Sequence, residues 1–179
     1  NDRLATCFSH VDGLQAWQCI KQRNTIRQIN AAMLSLKNLL SVTAGHIPFL
    51  KQERFVTTIN TLAKASRAIV PYHQKKIIEV SLRDACRTYQ NHQQLFTRQW
   101  LHNNTTLTNI LIDKETVYTL DLSHIREDYV LSDLASLVIS CLFLGIPPAT
   151  IKAIVKDYVA RHKMESEHLL VLDTLMTIG

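Results

Sequence analysis

Glycine and proline are scarce in this chain, which has only 4 of each among its 179 residues. Phosphate-binding loops usually need several glycines close together, because their backbone N–H groups must approach the phosphate. No such glycine-rich motif is present. The same shortage favours long helices, since glycine and proline often end them. With 46% hydrophobic and 20% charged residues, the chain is typical of one globular domain with a sizeable core.

Metal-binding cysteine patterns and long apolar runs are also missing. The four cysteines show no CxxC or CxH spacing, so we expect no zinc site. Two of them, Cys86 and Cys141, lie in apolar helical patterns, where a buried free thiol is the usual state. Free thiols favour a cytoplasmic location, where the environment is reducing. No run of about 18 apolar residues occurs, and we therefore expect no membrane span.

Positive charge exceeds negative charge, with a formal net charge of +5 at pH 7. A basic surface can bind nucleic acid, but the lysines and arginines are scattered, and the only doublet is Lys75-Lys76. We therefore do not expect nucleic acid as a partner. Two alternatives remain, a solvated basic face and a general attraction for anionic small molecules such as nucleotides.

Apolar residues recur at intervals of three and four along most of the chain, which predicts amphipathic helices. The predicted helices cover residues 25–44, 52–68, 71–96, 133–144, 147–159 and 164–178. Gly145 and Pro147-Pro148 separate two of them, as such residues commonly do. Ser132 is the expected N-cap of the helix at 133–144. We expect residues 1–24 to form a short helical or extended lead-in segment.

The helix predicted over residues 71–96 carries the longest apolar stripe. Its members are Ile77, Ile78, Val80, Leu82, Ala85, Cys86, Tyr89 and Phe96. Their spacing predicts that this stripe faces the core. Trp100 and Leu101 follow the helix and are expected to form a buried strand.

A hairpin is predicted between Trp100 and Asp121. A polar loop, a strand, a reversing turn and a second strand follow one another at residues 102–109, 110–112, 113–116 and 117–120. The two open ends of a hairpin lie side by side, so Asn109 and Asp121 should come close together. An amide and a carboxylate on a short scaffold supply the hard oxygen ligands that Mg²⁺ prefers. The segment therefore suggests a phosphate-handling site, and residues 122–129 are expected to form a polar connector after it.

The order of residues in this segment resembles a known catalytic sequence. It begins with His102, two polar residues and four spacers, and continues with Asn109, an apolar triplet, a turn, an apolar pair and Asp121. This order is similar to the catalytic segment of the aminoglycoside phosphotransferase and choline kinase family, a branch of the protein-kinase-like fold. The resemblance implies a mainly α fold, the helical C-terminal lobe of a kinase, with a small β-hairpin that carries the site. That lobe would occupy residues 25–179.

The resemblance also implies a role for individual residues. Asn109 and Asp121 match the family's metal-binding Asn and Asp, so Mg²⁺ and ATP are the implied cofactors and a small-molecule hydroxyl is the implied acceptor. His102 opens the loop, where it would hydrogen-bond the backbone rather than act as nucleophile or metal ligand. Asp133 matches an Asp that braces the catalytic loop, although its place in the first turn of a helix allows a simple capping role.

Asn104 occupies the position of the family's catalytic Asp. An amide can still hydrogen-bond a substrate hydroxyl, but it carries no charge and cannot accept the proton. The chain is therefore expected to be a degenerate member of the family, an inactivated form, or a protein that uses the fold for binding.

Besides the catalytic Asp, the sequence lacks the small sheet lobe of kinase-like enzymes. Kinase-like enzymes bind ATP with such a lobe and its Lys, and 24 residues ahead of Thr25 are too few to build one. Either this lobe has been removed, is disordered or is supplied elsewhere, or the protein no longer needs it. We therefore expect the chain as given to bind ATP poorly. The leading hypothesis is a phosphotransferase with impaired catalysis. The alternatives are a pseudokinase binding or structural module, such as those of bacterial spore coats, and a helical interaction domain unrelated to kinases.

Overall fold

The computed structural model describes residues 13–43, 61–65 and 71–178 of the chain. The helices are α1 (Ala16–Cys19), α2 (Arg23–Thr43), α3 (Tyr72–Asn91), α4 (Ser132–Phe143), α5 (Pro148–Arg161) and α6 (His168–Ile178), with 3-10 turns at Gln93–Leu95 and Leu122–His124. The strands are β1 (Leu14–Gln15), β2 (Arg98–Leu101), β3 (Ile110–Asp113), β4 (Thr116–Thr119) and β5 (Arg126–Tyr129). The mainly α architecture with a small hairpin is confirmed.

The predicted helices are present, with corrected ends. The helix expected over 71–96 stops at Asn91, after which the Gln- and Asn-rich sequence turns into a short 3-10 segment. The last helix starts at His168 rather than at residue 164. Of the helix predicted at 52–68, residues 61–65 are helical and the rest lies outside the described residues.

The break between α4 and α5 lies where Gly145 and the two following prolines predicted it. Gly145 has a positive φ of 65°, a conformation that glycine adopts without a steric penalty. The backbone N–H of Ile146 then donates to Cys141 O at 2.9 Å, which closes the end of α4. Pro147 is the N-cap of α5 and Pro148 its first residue, where the missing proline N–H costs no hydrogen bond.

Two small antiparallel sheets hold the predicted site segment. In the first sheet, β3 lies between β1 and β4, with Ile110 opposite Thr119 and Leu14 opposite Ile112. In the second, β2 pairs with β5, and Trp100 lies opposite Glu127. The expectation of a polar connector over 122–129 is therefore wrong for its second half. That half is a strand because β2, which is distant in sequence, supplies its backbone partners.

The helices pack behind these sheets around one core. Helix α3 packs on α6, α4 on α6, and α2 on α5. The core includes Leu134 and Leu137 of α4, which are fully buried. The expected inner stripe of α3 is only partly correct, because Leu82 and Ala85 are buried whereas Ile77 and Val80 are 67% and 43% exposed. Helical spacing alone therefore predicted a wider buried stripe than this helix has.

Part of the lead-in segment also joins this core. Ala16 and Ile20 have no exposed surface, and β1 extends the sheet of the hairpin through Leu14 and Gln15. The backbone makes a close approach there, since a side chain at Gly13 would lie 3.3 Å from Ile112 O. Among the described helices, none combines the length and hydropathy that crossing a membrane requires.

His162 lies just after α5, and its surroundings predict that it contributes to stability in a pH-dependent way. Its ring stacks on Tyr158, with centroids 3.8 Å apart and planes 15° apart. Burial, together with a smaller effect of the positive charge on Lys37, lowers the pKa of His162 to about 4. The unfolded chain, whose histidines titrate near pH 6.5, therefore binds the proton more tightly than the folded chain. The stabilisation is complete above about pH 6.5 and is lost as the pH falls toward 4.

His162→Phe should keep the stacked ring and remove the titration. We expect wild type to lose about 1 kcal/mol more stability than the variant between pH 7 and pH 5, because the partly exposed ring is screened by solvent. Urea denaturation at the two pH values measures this difference. Equal losses in both proteins would show that His162 does not titrate with unfolding.

Candidate active site

The open end of the hairpin joins three polar side chains through hydrogen bonds. The N–H of Leu120 donates to Asn109 O at 2.8 Å, which closes the strands just before Asp121. The Asn109 side chain donates from Nδ2 to Asn104 O at 3.0 Å. The Asn104 side chain in turn donates from Nδ2 to Asp121 Oδ2 at 2.8 Å. The hairpin and the polar loop before it thus bring Asn104, Asn109 and Asp121 into one cluster.

Asp121 is held in an unusual backbone conformation. Its φ of 58° and ψ of 69° lie in the left-handed region, which costs a residue with a Cβ about 1 kcal/mol. The Ser123 hydroxyl donates to Oδ1, and His124 Nε2 lies 3.9 Å from Oδ2. The Ser123 hydrogen bond is the main cause that holds the pKa of Asp121 below its usual value, and the Asn104 amide lowers the pKa further. The carboxylate is therefore ionised near neutral pH.

His102 ties the polar loop to Leu120, the residue after β4, from inside the core. It has no exposed surface, and its Nδ1 accepts the N–H of Asn104 at 3.2 Å. Since Nδ1 is an acceptor, Nε2 carries the proton and donates to Leu120 O at 3.0 Å. Burial lowers the pKa of His102, which favours this neutral form. Both ring nitrogens are occupied by backbone groups.

Asp133 accepts hydrogen bonds from the start of the same loop. Its Oδ1 accepts the N–H of Asn103 at 2.7 Å, and its Oδ2 accepts the N–H of His102 at 3.2 Å. The residue is only 7% exposed. Burial raises the pKa of Asp133, and the Asn103 N–H opposes this rise by stabilising the charged form. The carboxylate therefore contacts loop backbone that lies about thirty positions earlier in the chain.

The expected N-cap at Ser132 is wrong. Helix α4 begins at Ser132 itself, and its N-cap is Leu131, which makes no side-chain cap bond. The Ser132 hydroxyl instead donates to Asp128 Oδ1 at 3.1 Å. A nearby acceptor on β5 thus takes the hydroxyl that a cap would need.

Two residues of this region were not singled out from the sequence. Asn103 has a positive φ of 61°, and its side chain donates to Arg126 O at 3.1 Å. Asp128 is 7% exposed and accepts from the Tyr129 N–H at 2.7 Å and from Arg126 Nη2 at 3.2 Å. An Asn in a polar loop is a recognisable candidate for the left-handed region, but the partners of Asp128 depend on the pairing of β5.

The donor set fits a magnesium ion that arrives with phosphate. Asn109 uses its amide nitrogen in the bond to Asn104, which leaves its amide oxygen as the atom for a cation, and Asp121 supplies an ionised carboxylate. Mg²⁺ usually takes one or two protein oxygens together with water and substrate phosphates. Among the described residues, no group of three or more His, Cys, Asp or Glu side chains could hold a metal by itself.

Comparison with known proteins gives similarity in structure only. No protein-family model matches the sequence, and no curated protein matches it. The structure of aminoglycoside phosphotransferase APH(3'')-Id from Streptomyces rimosus matches with a TM-score of 0.65 and 16% identity, over 94% of this chain and 67% of that chain. The same enzyme in complex with ADP and streptomycin matches with a TM-score of 0.62 and 18% identity, over 94% and 68%. An aminoglycoside-3'-phosphotransferase of type VIII matches with a TM-score of 0.58 and 17% identity, over 95% and 67%.

These matches define the fold of the chain. It has the helical lobe of the protein-kinase-like fold, as the order of residues in the hairpin segment implied. The solved structures that share this lobe are aminoglycoside phosphotransferases. The chain spans about two thirds of the length of the solved structures it matches. The identities are low, so the match concerns the fold, and the roles of His102, Asn104, Asn109 and Asp121 stay predictions.

Proposed function

We propose that this chain is the phosphate-binding lobe of a phosphotransferase of the small-molecule kinase type, with catalysis impaired at Asn104. The observation that carries the proposal is the hydrogen-bonded cluster of Asn104, Asn109 and Asp121. It lies in the segment whose order resembles the family's catalytic sequence, on the fold that the family uses. An amide occupies the place where that resemblance expects the catalytic carboxylate.

Each residue of the cluster then has a specific task. Asn109 and Asp121 would hold Mg²⁺, and the ion would supply positive charge close to the transferred phosphoryl group. Asn104 can orient an acceptor hydroxyl but cannot take its proton, and losing a general base commonly costs about 10²- to 10⁴-fold in rate. His102 and Asp133 position the loop through its backbone and do not meet the substrate.

The proposed partners are a nucleotide, a small-molecule hydroxyl acceptor and a small sheet lobe that covers the nucleotide. The proposed location is the reducing cytoplasm. The described residues contain no counterpart of that lobe. The solved Streptomyces rimosus enzyme holds ADP and streptomycin, which makes an aminoglycoside the first acceptor to test. Yet Asp157, an acidic residue after the hairpin, is already engaged by Arg161 Nε at 2.7 Å and by Asn30 Nδ2 at 3.0 Å. A strongly cationic acceptor therefore has one carboxylate fewer to meet.

Asp121→Asn should abolish most of the Mg-dependent binding of ATP. In a form of the protein that carries a sheet lobe ahead of this chain, natural or fused, we expect saturating Mg·ATP to raise Tm by about 5 °C. The substitution keeps the shape of the side chain but removes its charge, so affinity should fall about tenfold or more. Thermal shift with increasing Mg·ATP measures the effect.

Asp113→Asn is the matched control for this test. It makes the same chemical change at the other end of the hairpin, where Asp113 pairs with Thr116. Binding of Mg·ATP should be unchanged in this variant. Equal affinity in wild type and Asp121→Asn would contradict the proposed metal role of Asp121.

A pseudokinase module for binding or structure is the second candidate. It is favoured by the bond between Asn104 and Asp121, because that bond gives the carboxylate a partner within the protein. A scaffold of this kind needs neither cation nor nucleotide. If neither Mg²⁺ nor ATP shifts the melting of a form that carries both lobes, this candidate replaces the first.

A further inference from the structure

We propose that the Asn104 side chain takes the place of a divalent cation in keeping the apo site assembled. The inference rests on the proposed function, because it concerns the same cluster. It adds that the site of this chain is organised without metal, and that a carboxylate at position 104 would make its organisation depend on metal.

The contacts around Asp121 support this assignment. Each carboxylate oxygen has a donor from the protein, with the Ser123 hydroxyl on Oδ1 and Asn104 Nδ2 on Oδ2 at 2.8 Å. Donors of this kind compensate an anionic group much as a cation would, although less strongly. Both hydrogen bonds to the carboxylate therefore come from neutral groups of the chain, and the His124 ring, 3.9 Å from Oδ2, lies beyond hydrogen-bond distance.

Asn104 is also held from its other side. Its backbone oxygen accepts Asn109 Nδ2 at 3.0 Å, and its backbone N–H donates to His102 Nδ1 at 3.2 Å. Asn104 therefore has hydrogen bonds to three residues of the site, His102, Asn109 and Asp121. Loss of the Asn104 amide would remove the direct hydrogen bond between the loop and the Asp121 carboxylate, while His102 would still hold the neighbouring Leu120.

An Asp at position 104 would have the opposite effect on Asp121. It would place a second carboxylate where the amide donor now lies, 2.8 Å from Asp121 Oδ2. Two carboxylates in contact repel each other unless a positive charge or a proton lies between them. Mg²⁺ or Ca²⁺ bridging the two groups would relieve that repulsion, so the variant should require an ion that wild type does not.

The test compares melting of wild type, Asn104→Asp and Asn104→Ala in EDTA and in millimolar MgCl₂ or CaCl₂, without nucleotide. In EDTA we expect the Asp variant to melt about 4 °C below wild type. Either cation should restore most of this loss, whereas wild type should shift by less than about 1 °C. The Ala variant loses the donor without gaining charge, so it should melt at an intermediate temperature that the cations do not change.

Asn24→Asp serves as the charge control. Asn24 is exposed in the first turn of α2, where a negative charge is favourable, so this variant should neither lose stability nor respond to cations. Asn104→Asp as stable as wild type in EDTA would overturn the inference. A wild type that gains as much from Mg²⁺ as the Asp variant would overturn it as well. Neither result bears on nucleotide binding, which the Asp121→Asn experiment measures separately.

Discussion

Asn104→Asp is expected to raise the turnover of saturating Mg·ATP by about 10²- to 10⁴-fold, the usual contribution of a general base. The assay requires a form of the protein that carries a sheet lobe, with ADP production measured in the presence of hydroxyl-bearing small molecules. The gain should appear in kcat, because the new carboxylate accepts a proton only as the hydroxyl attacks.

The expected gain follows from the position of the side chain. Asn104 already lies against the Asp121 carboxylate, which is proposed to hold the metal that binds the phosphates. An acceptor hydroxyl near that metal would therefore lie near position 104. The loop that holds position 104 is fixed by His102 and Asp133, so the substitution changes the chemistry of the side chain more than its place.

The double variant Asn104→Asp with Asp121→Asn is the control for this result. It contains the restored base but lacks the carboxylate proposed to hold Mg²⁺, so the gain should disappear. If Asn104→Asp alone leaves turnover unchanged under saturating Mg²⁺ and ATP, the amide at position 104 is not what limits turnover. The binding module would then be the better account of the chain.

The hairpin could be predicted because its signals are local. An apolar triplet, a turn-forming run and a second short strand lie within twelve residues, and Asn109 and Asp121 flank them. Once the two strands pair, with Ile110 opposite Thr119, the flanking residues must lie at the same end. The sequence also indicated the boundary at Gly145, because a glycine followed closely by two prolines commonly separates helices.

The strand β5 and the exact start of α4 could not be predicted, because the residues that fix them are brought together only by the fold. Arg126–Tyr129 is a polar stretch with no strand-like alternation of its own, and it became a strand only because β2 pairs with it. The helix start moved to Ser132 for the same reason, since its hydroxyl bonds Asp128 of that strand. Ile77 was predicted to face the core and is exposed instead. Helical spacing marks an apolar stripe, but the neighbouring elements decide how wide a stripe they cover.

Asp133→Ala should lower the free energy of unfolding by about 3 kcal/mol. The carboxylate is 7% exposed and accepts two backbone N–H groups, and hydrogen bonds to a charged group contribute about 1.5–3 kcal/mol each in mutational series. Burial raises the pKa of Asp133 and offsets part of this contribution, so the sum should stay near the value of a single strong bond. Urea denaturation at pH 7 measures the loss.

Asp133→Ala should make local opening of the polar loop easier to a greater extent than opening of the rest of the fold. In the variant the N–H groups of His102 and Asn103 have no acceptor in Asp133, so their hydrogen exchange should speed up more than that of β3. Asp84→Ala is the matched control, because Asp84 is an exposed acid on α3 whose ion pair with Arg87 spans 3.7 Å; its loss should cost less than about 0.5 kcal/mol. Equal and small costs in the two variants would mean that Asp133 only adds charge at the start of α4. A large cost at Asp133 with fast exchange in the loop would instead establish it as the residue that braces the candidate active site.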